Sequence, residues 1–323
     1  MLEQYFGMKA RHPEAILLSR VGDFYEAYGE DAERIAPALS IALTSKEAGS
    51  GQRIAMAGVP HHALSQYLAR LVQQRYIVAL AEQLEMPQPN KLVRRDVVRI
   101  VTPGTLIEDQ LLDGKQNNYL AAITAIDETF GLAYADVSTG LCAATALSGD
   151  AGYEELLAEI GRIGPAEIVA DMAPGLRAGL SMALENSGAR VAAPALCSVE
   201  SRDRRSIEGF SLDEALAMHR ALDALVGFVR RSGIGSALPD ESTLRVPQFY
   251  RNRTFLSLDA NTRKNLELVK ALGANPKATL LATLDKCATS MGSRLLSRWI
   301  LAPLVDRAAI EKRQGAVAAR APR

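Results

Sequence analysis

The sequence predicts two successive α/β segments followed by a mainly α-helical one. Three observations carry this expectation. Up to about residue 200, short apolar runs bounded by Gly, Pro or Asn alternate with stretches of helical period. From Leu212 onward the helical period dominates. The composition, 48% hydrophobic and 23% charged over 323 residues, suits a globular chain with two or three cores. The expected boundaries are 1–107, a polar linker over 108–118, then 119–200 and 201–323.

In the first segment, the run from Ala15 to Val21 ends at Gly22 and is read as a strand. Ala32, Ile35, Ala36 and Leu39 share one helical face over Glu30 to Leu39. Gly49-Ser50-Gly51 is read as a turn. Pro60 suits the first turn of a helix whose apolar positions are Leu64, Tyr67, Leu68, Leu71 and Val72. Tyr76 to Ala81 and Val97 to Val101 are further strands, and Thr102-Pro103-Gly104-Thr105 breaks the pattern.

In the second segment, Leu120 to Ile126 and Phe130 to Val137 are expected to pair across a turn at Asp127-Glu128. A third strand follows over Leu141 to Ala146, then a helix over Glu154 to Ile163 and a strand over Ala166 to Ala170. Strands first, then helix and strand in alternation, indicate a compact α/β domain. In the third segment, Leu212 to Arg231, Asn261 to Leu272 and Leu280 to Leu301 each keep a helical period. There is no internal repeat.

No apolar run approaches the length of a membrane span, and Met1 to Tyr5 does not open a signal peptide, so the expectation is a cytoplasmic protein without a membrane partner. Cys142, Cys197 and Cys287 are far apart and make no metal-ligand spacing with the four histidines; they are read as free thiols, with no metal site. Thirty-seven basic residues balance 37 acidic ones, which argues against a simple electrostatic nucleic-acid binder. Two local clusters remain, Lys91/Arg94/Arg95/Arg99 and Arg251/Arg253/Arg263/Lys264, each read on charge alone as a solvated face.

The run Gly22-Asp23-Phe24-Tyr25-Glu26 places two aromatics and a carboxylate after a strand and a glycine. Taken alone, it reads as two rings packing a core edge beside a solvated carboxylate. It does not stand alone. Met56-Ala57-Gly58-Val59-Pro60-His61-His62-Ala63, Tyr67 to Val72, Ala81-Glu82-Gln83, Arg99 to Thr105, Leu258 to Leu268, and Met291 to Leu296 with Trp299 and Pro303 follow in order. This ordered series resembles the MutS family of DNA mismatch-recognition proteins across nearly the whole chain.

The resemblance implies a mismatch-recognition domain over 1–107, an RNase H-like connector domain over 119–200 and an incomplete helical core or lever domain over 201–323. It implies that Phe24 is an aromatic wedge stacking on a mispaired or unpaired base from the minor groove, and that Glu26 hydrogen-bonds that base. By family position, Val21, Met56 and Val59 line the same surface. Arg53, Arg94 and Arg95 are candidate phosphate contacts. The implied partners are double-stranded DNA bearing a mismatch or a small insertion/deletion loop, a second MutS subunit, and MutL docked on the connector. The implied location is bacterial cytoplasm at the nucleoid.

The family's ATPase domain carries a GxxxxGK[ST] loop for ATP and Mg²⁺. Here Gly114-Lys115 is followed by Gln116 and no such string occurs, so no cofactor and no enzymatic activity are expected of these residues. Two alternatives stand beside the sensor. One is a metal-dependent nuclease built on Asp127, Asp136 and Asp171 of the RNase H-like segment. The other is a MutL-docking fragment without useful DNA affinity.

Overall fold

A helix that the sequence reading leaves unassigned opens the chain: α1, Leu2–Arg11. Tyr5 and Met8 bury one face of it, Glu3 sits in its first turn, and Lys9 and Arg11 in its last complement the helix dipole. The computed structural model describes residues 1–49, 52–85, 93–107, 113–185, 189–192, 206–233 and 244–319. Lys91, Cys197 and residues 108–112 of the linker lie outside them, as do Ser50 and Gly51.

The chain divides into two units, Met1–Leu112 with Val226–Thr243, and Asp113–Leu225 with Leu244–Arg323. In the first, β1 (Ile16–Val21), β2 (Phe24–Tyr28), β3 (Thr44–Gly49), β4 (Gln52–Pro60), β5 (Val78–Gln83) and β6 (Arg95–Val101) form one sheet. Its order is β3-β4-β2-β1-β5-β6, with β1 and β5 parallel and the other neighbours antiparallel. Strand alternation divides the side chains between two faces. One face (Ile16, Leu18, Tyr25, Ala27, Ala57, Val59, Val78, Leu80) packs on α2 (Glu30–Leu39) and α3 (Leu64–Gln73). The other (Leu17, Tyr28, Ala79, Ala81, with Met56 and Val97) packs on α1.

A buried carboxylate ties α1 to the sheet. Asp31, in the first turn of α2, accepts from Leu17 N at 3.0 Å, Tyr5 Oη at 3.2 Å and Lys9 Nζ at 2.9 Å. Tyr5 Oη also reaches Leu17 O at 2.9 Å. Burial, then the Asp31 charge, raises the Tyr5 phenol above its ordinary pKa.

Two expectations for this unit are corrected. Pro60 ends β4 and precedes a short 3-10 turn, His61–Ala63, so α3 begins at Leu64. The strand expected over Tyr76 to Ala81 runs over Val78–Gln83, because Tyr76 N still bonds to Leu71 O at the end of α3. The expected turn at Gly49-Ser50-Gly51 lies partly outside the described residues; the strands on either side of it, β3 and β4, are not assigned in the sequence reading.

In the second unit, β7 (Tyr119–Ile126), β8 (Thr129–Asp136) and β9 (Leu141–Ser148) form an antiparallel meander, as the alternation predicts. The turn residue Asp127 has φ +49. β10 (Glu167–Asp171) and β11 (Arg190–Ala192) extend the sheet in parallel beyond β7, and β12 (Gln248–Phe249) lies parallel to β9 on the other edge. Leu156, Ile160 and Ile163 of α4 (Gly152–Ile163) and Leu180 of α5 (Pro174–Ala183) join Ile123, Leu132 and Ile168 in one core. On the opposite side, α6 (Leu212–Arg231) approaches β8 so closely that a Cβ on Gly131 would stand 2.0 Å from Ala217 O. Thr124 Oγ1 donates to that same carbonyl at 2.9 Å. Only glycine fits this crossing.

The helices after α6 are shorter than their periodicity suggests. The stretch Asn261 to Leu272 is helical only as α7, Ala260–Asn265. Glu267 turns to φ +46, and its carboxylate accepts from Leu272 N at 2.7 Å. The stretch Leu280 to Leu301 is two helices, α8 (Leu280–Leu284) and α9 (Ser290–Leu301). Asp285 interrupts it by accepting from Cys287 N at 3.1 Å and Ser293 Oγ at 2.9 Å, and Thr289 then caps α9 through Gly292 N. A last helix, α10, covers Arg307–Ala318 behind the cap Asp306. From Leu244 to Asp259 the chain is extended or irregular apart from β12 and a 3-10 turn, so the expected helical character is interrupted there. No helix among the described residues is long and apolar enough to cross a membrane.

Candidate nucleic-acid interface

The two-residue turn Gly22-Asp23 joins β1 to β2, with Val21 opposite Phe24. Gly22 has φ +57, and a Cβ there would meet nothing within 4 Å, so the constraint is backbone conformation rather than space. Glycine at the first position of such a turn matches the twist of the hairpin. Gly22→Ala is expected to cost about 1 kcal/mol. A lowered denaturation midpoint with an unchanged slope checks this, and an unchanged midpoint contradicts it.

The hairpin sends its side chains alternately to the two faces. Tyr25 is buried and stacks on His61 at 5.8 Å, while Arg20 lies 5.6 Å from its ring. Tyr25 Oη donates to Glu82, and burial followed by that carboxylate pushes its pKa up to about 12. Phe24, one residue earlier, points the other way and is 47% exposed. A large ring left in water between a turn and a buried tyrosine has no part in either core cluster of this unit. The core-edge reading of the isolated motif therefore holds for Tyr25 but not for Phe24.

Glu26 follows on the same face, opposite Ser19 on β1 and Gly58 on β4. A Cβ on Gly58 would come within 3.5 Å of Glu26 Cγ, so the glycine leaves room for the acidic side chain. Glu26 is not simply solvated. Its side chain is 16% exposed and pairs with Lys46 at 3.2 Å, and Tyr28 Oη donates to it. Burial, then the hydrogen bond to Glu26, raises the Tyr28 phenol above its ordinary pKa. Lys46 and Tyr28 carry no signal in the sequence reading. Lys46 lies in a polar edge strand without apolar alternation, and Tyr28 belongs to no motif in the sequence.

The other candidates separate by strand parity. Val21 and Met56 lie on the Phe24 face, both half-buried, and Met56 packs with the α1 cluster. Arg95 shares that face with Val97 and donates from Nε to Arg20 O at 2.9 Å. Val59 falls on the opposite face at 0% exposure, inside the core against α2 and α3, so it offers no surface. Arg53 also points from the opposite side and donates to Ser45 Oγ at 2.8 Å. Arg94 is exposed, with its backbone N–H on Glu85.

The second basic cluster is not one solvated face. Arg251 pairs with Glu214 at 2.7 Å and lies 4.0 Å from the Phe210 ring, and Arg263 is buried and donates to Ala158 O at 3.2 Å. The carboxylates considered for a nuclease are also placed. Asp136 is fully buried and accepts from Asn118 N at 3.3 Å, Ser138 N at 3.0 Å and Ser138 Oγ at 2.6 Å, which accounts for it as the anchor of the β8–β9 turn. Asp127 sits in the β7–β8 turn and Asp171 is exposed at the end of β10. Among the described residues, no three His, Cys, Asp or Glu side chains are grouped to hold a metal ion. Cys142 and Cys287 are free thiols, and burial pushes Cys142 up to about 11.

Family models match in the order of the elements above: MutS domain I over residues 1–110, MutS domain II over 118–177 and MutS domain III over 261–322. The chain is 38% identical over 330 residues to a DNA mismatch repair protein MutS of Pelotomaculum thermopropionicum, covering 97% of this chain and 37% of that one. It is 40% identical over 332 residues to that of Symbiobacterium thermophilum, covering 98% and 37%. For the protein of Thermosynechococcus vestitus the identity is 37% over 342 residues, covering 98% and 38%. The chain thus spans a little over a third of the length of these curated relatives, roughly 37%. With three MutS domain models in order and matches along nearly its whole length, this chain belongs to the MutS family.

Proposed function

We propose that this chain recognises mismatched or unpaired bases in double-stranded DNA by inserting Phe24 from the minor groove and bending the duplex. The observation that carries the reading is the solvent-exposed ring of Phe24 at the tip of the β1–β2 hairpin, with the carboxylate of Glu26 two residues along the same face. An apolar wedge between base steps costs a few kcal/mol of unstacking, and the kinked duplex then touches more protein. A mispaired or unpaired base is already poorly stacked, so insertion is easiest there. Discrimination then follows deformability rather than a base code, which suits a protein that accepts many mismatches. Val21 and Met56 extend the same face toward the groove. Arg95 and Arg94 meet phosphates, positioning the duplex without reading it.

In this reading the second unit is an RNase H-like connector, supported by its antiparallel meander extended by parallel β10 and β11. It serves as the docking surface for MutL. The helical segment after it is the start of the core or lever, and a second MutS subunit pairs with the complete protein. ATP and Mg²⁺ act in the family's ATPase domain, and the residues of this chain carry no enzymatic activity. The working place is the bacterial nucleoid. The buried, fully bonded Asp136 favours the sensor over a metal-dependent nuclease, and the exposed Phe24 favours it over a MutL-docking fragment without DNA affinity.

The test is local unstacking. A duplex with 2-aminopurine beside one unpaired thymine should brighten on adding the chain, and Phe24→Ala should leave it dark. Equal brightening by both proteins would refute the wedge.

A further inference from the structure

We propose that Tyr28 and Lys46 are positioning residues that grip one oxygen of Glu26 and so present the other to the DNA base. This assignment rests on the reading of Phe24 and Glu26 as the base-recognition pair. The geometry is specific. Tyr28 Oη donates to Glu26 Oε2, and Lys46 Nζ donates to the same Oε2 at 3.2 Å. Lys46 Nζ also donates to Tyr28 Oη at 2.9 Å and stands 5.2 Å from the centre of its ring. Among the described residues, Oε1 has no hydrogen-bond partner.

The three groups therefore form a closed triangle on a single oxygen. A carboxylate offers acceptor sites on both oxygens. Holding one by two donors fixes the plane of the group and leaves the second oxygen aimed at an incoming donor.

The support beneath the triangle is rigid. Glu26 and Tyr28 share one face of β2, and Lys46 stands on β3, with β4 between the two strands. Tyr28 is nearly fully buried, its ring packed edge-on against Tyr5 at 4.9 Å, and its backbone N–H donates to Tyr5 Oη at 3.2 Å. Tyr28 thus cannot touch DNA itself; it acts through Glu26.

Lys46 is 35% exposed and carries a second consequence. An isolated carboxylate beside a phosphate backbone is repelled, and the ammonium beside Glu26 offsets that repulsion without occupying Oε1. A group held by its own supports loses less freedom on binding, and selectivity gained this way comes from pre-organisation rather than from new contacts.

The test compares the full chain and its variants on a duplex with one unpaired thymine and on the perfect duplex, by fluorescence anisotropy at several salt concentrations. Tyr28→Phe removes only a buried hydroxyl. It is expected to lower the ratio of the two affinities by about three- to tenfold, the scale of one ordinary net hydrogen bond, because Lys46 still holds the oxygen. Affinity for perfect duplex and the salt slope should not change. Repeated in a Glu26→Gln background, Tyr28→Phe should have no further effect on the ratio. Lys46→Met should lower the ratio similarly and flatten the salt slope, and Lys46→Arg should restore much of both.

An unaltered ratio in Tyr28→Phe, or an equal drop with and without Glu26, overturns the positioning role. The carboxyl carbon of Glu26, followed by NMR without DNA, separates the two ways of failing. A wild type that shows no preference for the unpaired base overturns the recognition reading and the purpose assigned to the triangle with it. A Glu26 signal that ignores Tyr28→Phe overturns the triangle itself.

Discussion

Replacing Phe24 by alanine is expected to remove the preference for an unpaired or mispaired base while leaving the fold intact. The ring is 47% exposed and belongs to neither core cluster of its unit, so stability should change by no more than about 0.5 kcal/mol, as for ordinary surface positions. Its contribution to the proposed DNA binding is expected to be larger. Stacking of a base on an aromatic side chain contributes about 1–3 kcal/mol, which corresponds to a loss of roughly five- to 150-fold in affinity for the deformed site. Affinity for perfect duplex rests on phosphate contacts, which Phe24 does not make, and should be nearly unaltered. Titrating both duplexes at one fixed, low salt concentration, with thermal unfolding of the variant alongside, checks both halves. A variant that unfolds early, or that weakens on both duplexes alike, would contradict the assignment.

The largest expected effect on stability comes from Asp31. Its buried carboxylate takes hydrogen bonds from Leu17 N, Tyr5 Oη and Lys9 Nζ, and so joins α1, α2 and the central strand that leads to the Phe24 hairpin. Asp31→Ala leaves a backbone N–H, a phenol and an ammonium without that acceptor. Removing one partner of such a network is expected to cost about 2–4 kcal/mol. Because the chain has two units, the cleanest readout is local: hydrogen exchange of the Leu17 amide should accelerate strongly, while amides of β7 and β8 should exchange as in the wild type. Leu17 exchanging at the wild-type rate would show that α1 is held by packing alone.

The sequence made some of this legible and concealed the rest for physical reasons. β1, β7 and β8 stand out as short buried apolar runs bounded by turn residues, and α2 and α6 as apolar stripes of helical period. β3 is invisible to that test. Its residues Thr44, Ser45, Lys46 and Glu47 form a polar edge strand with no apolar alternation, paired on one side only. The missed strand is also where Lys46 resides, so the partner of Glu26 was out of reach of pattern reasoning. Periodicity overextended the later helices. Glu267 and Asp285 bond their side chains to nearby backbone where helices end that an apolar stripe alone would continue, and Thr289 caps the start of a separate helix, α9. For the site itself, Phe24 and Glu26 emerged from resemblance rather than chemistry, since a five-residue motif has no physical signature. Val59 and Arg53 show the limit of that route. Each neighbours a residue on the Phe24 face, and a strand period of two sends both to the other side.

The most direct test of the central claim is a photocrosslink from the base to the protein. A duplex carrying 5-iodouracil at the unpaired position would be irradiated with the whole chain, and the attached peptide mapped by mass spectrometry. Attachment is expected at Phe24, and is lost when the same base is paired with adenine in a perfect duplex. Attachment elsewhere in the chain, or equal attachment from the paired base, would show that the exposed ring is not the element that meets a mismatch.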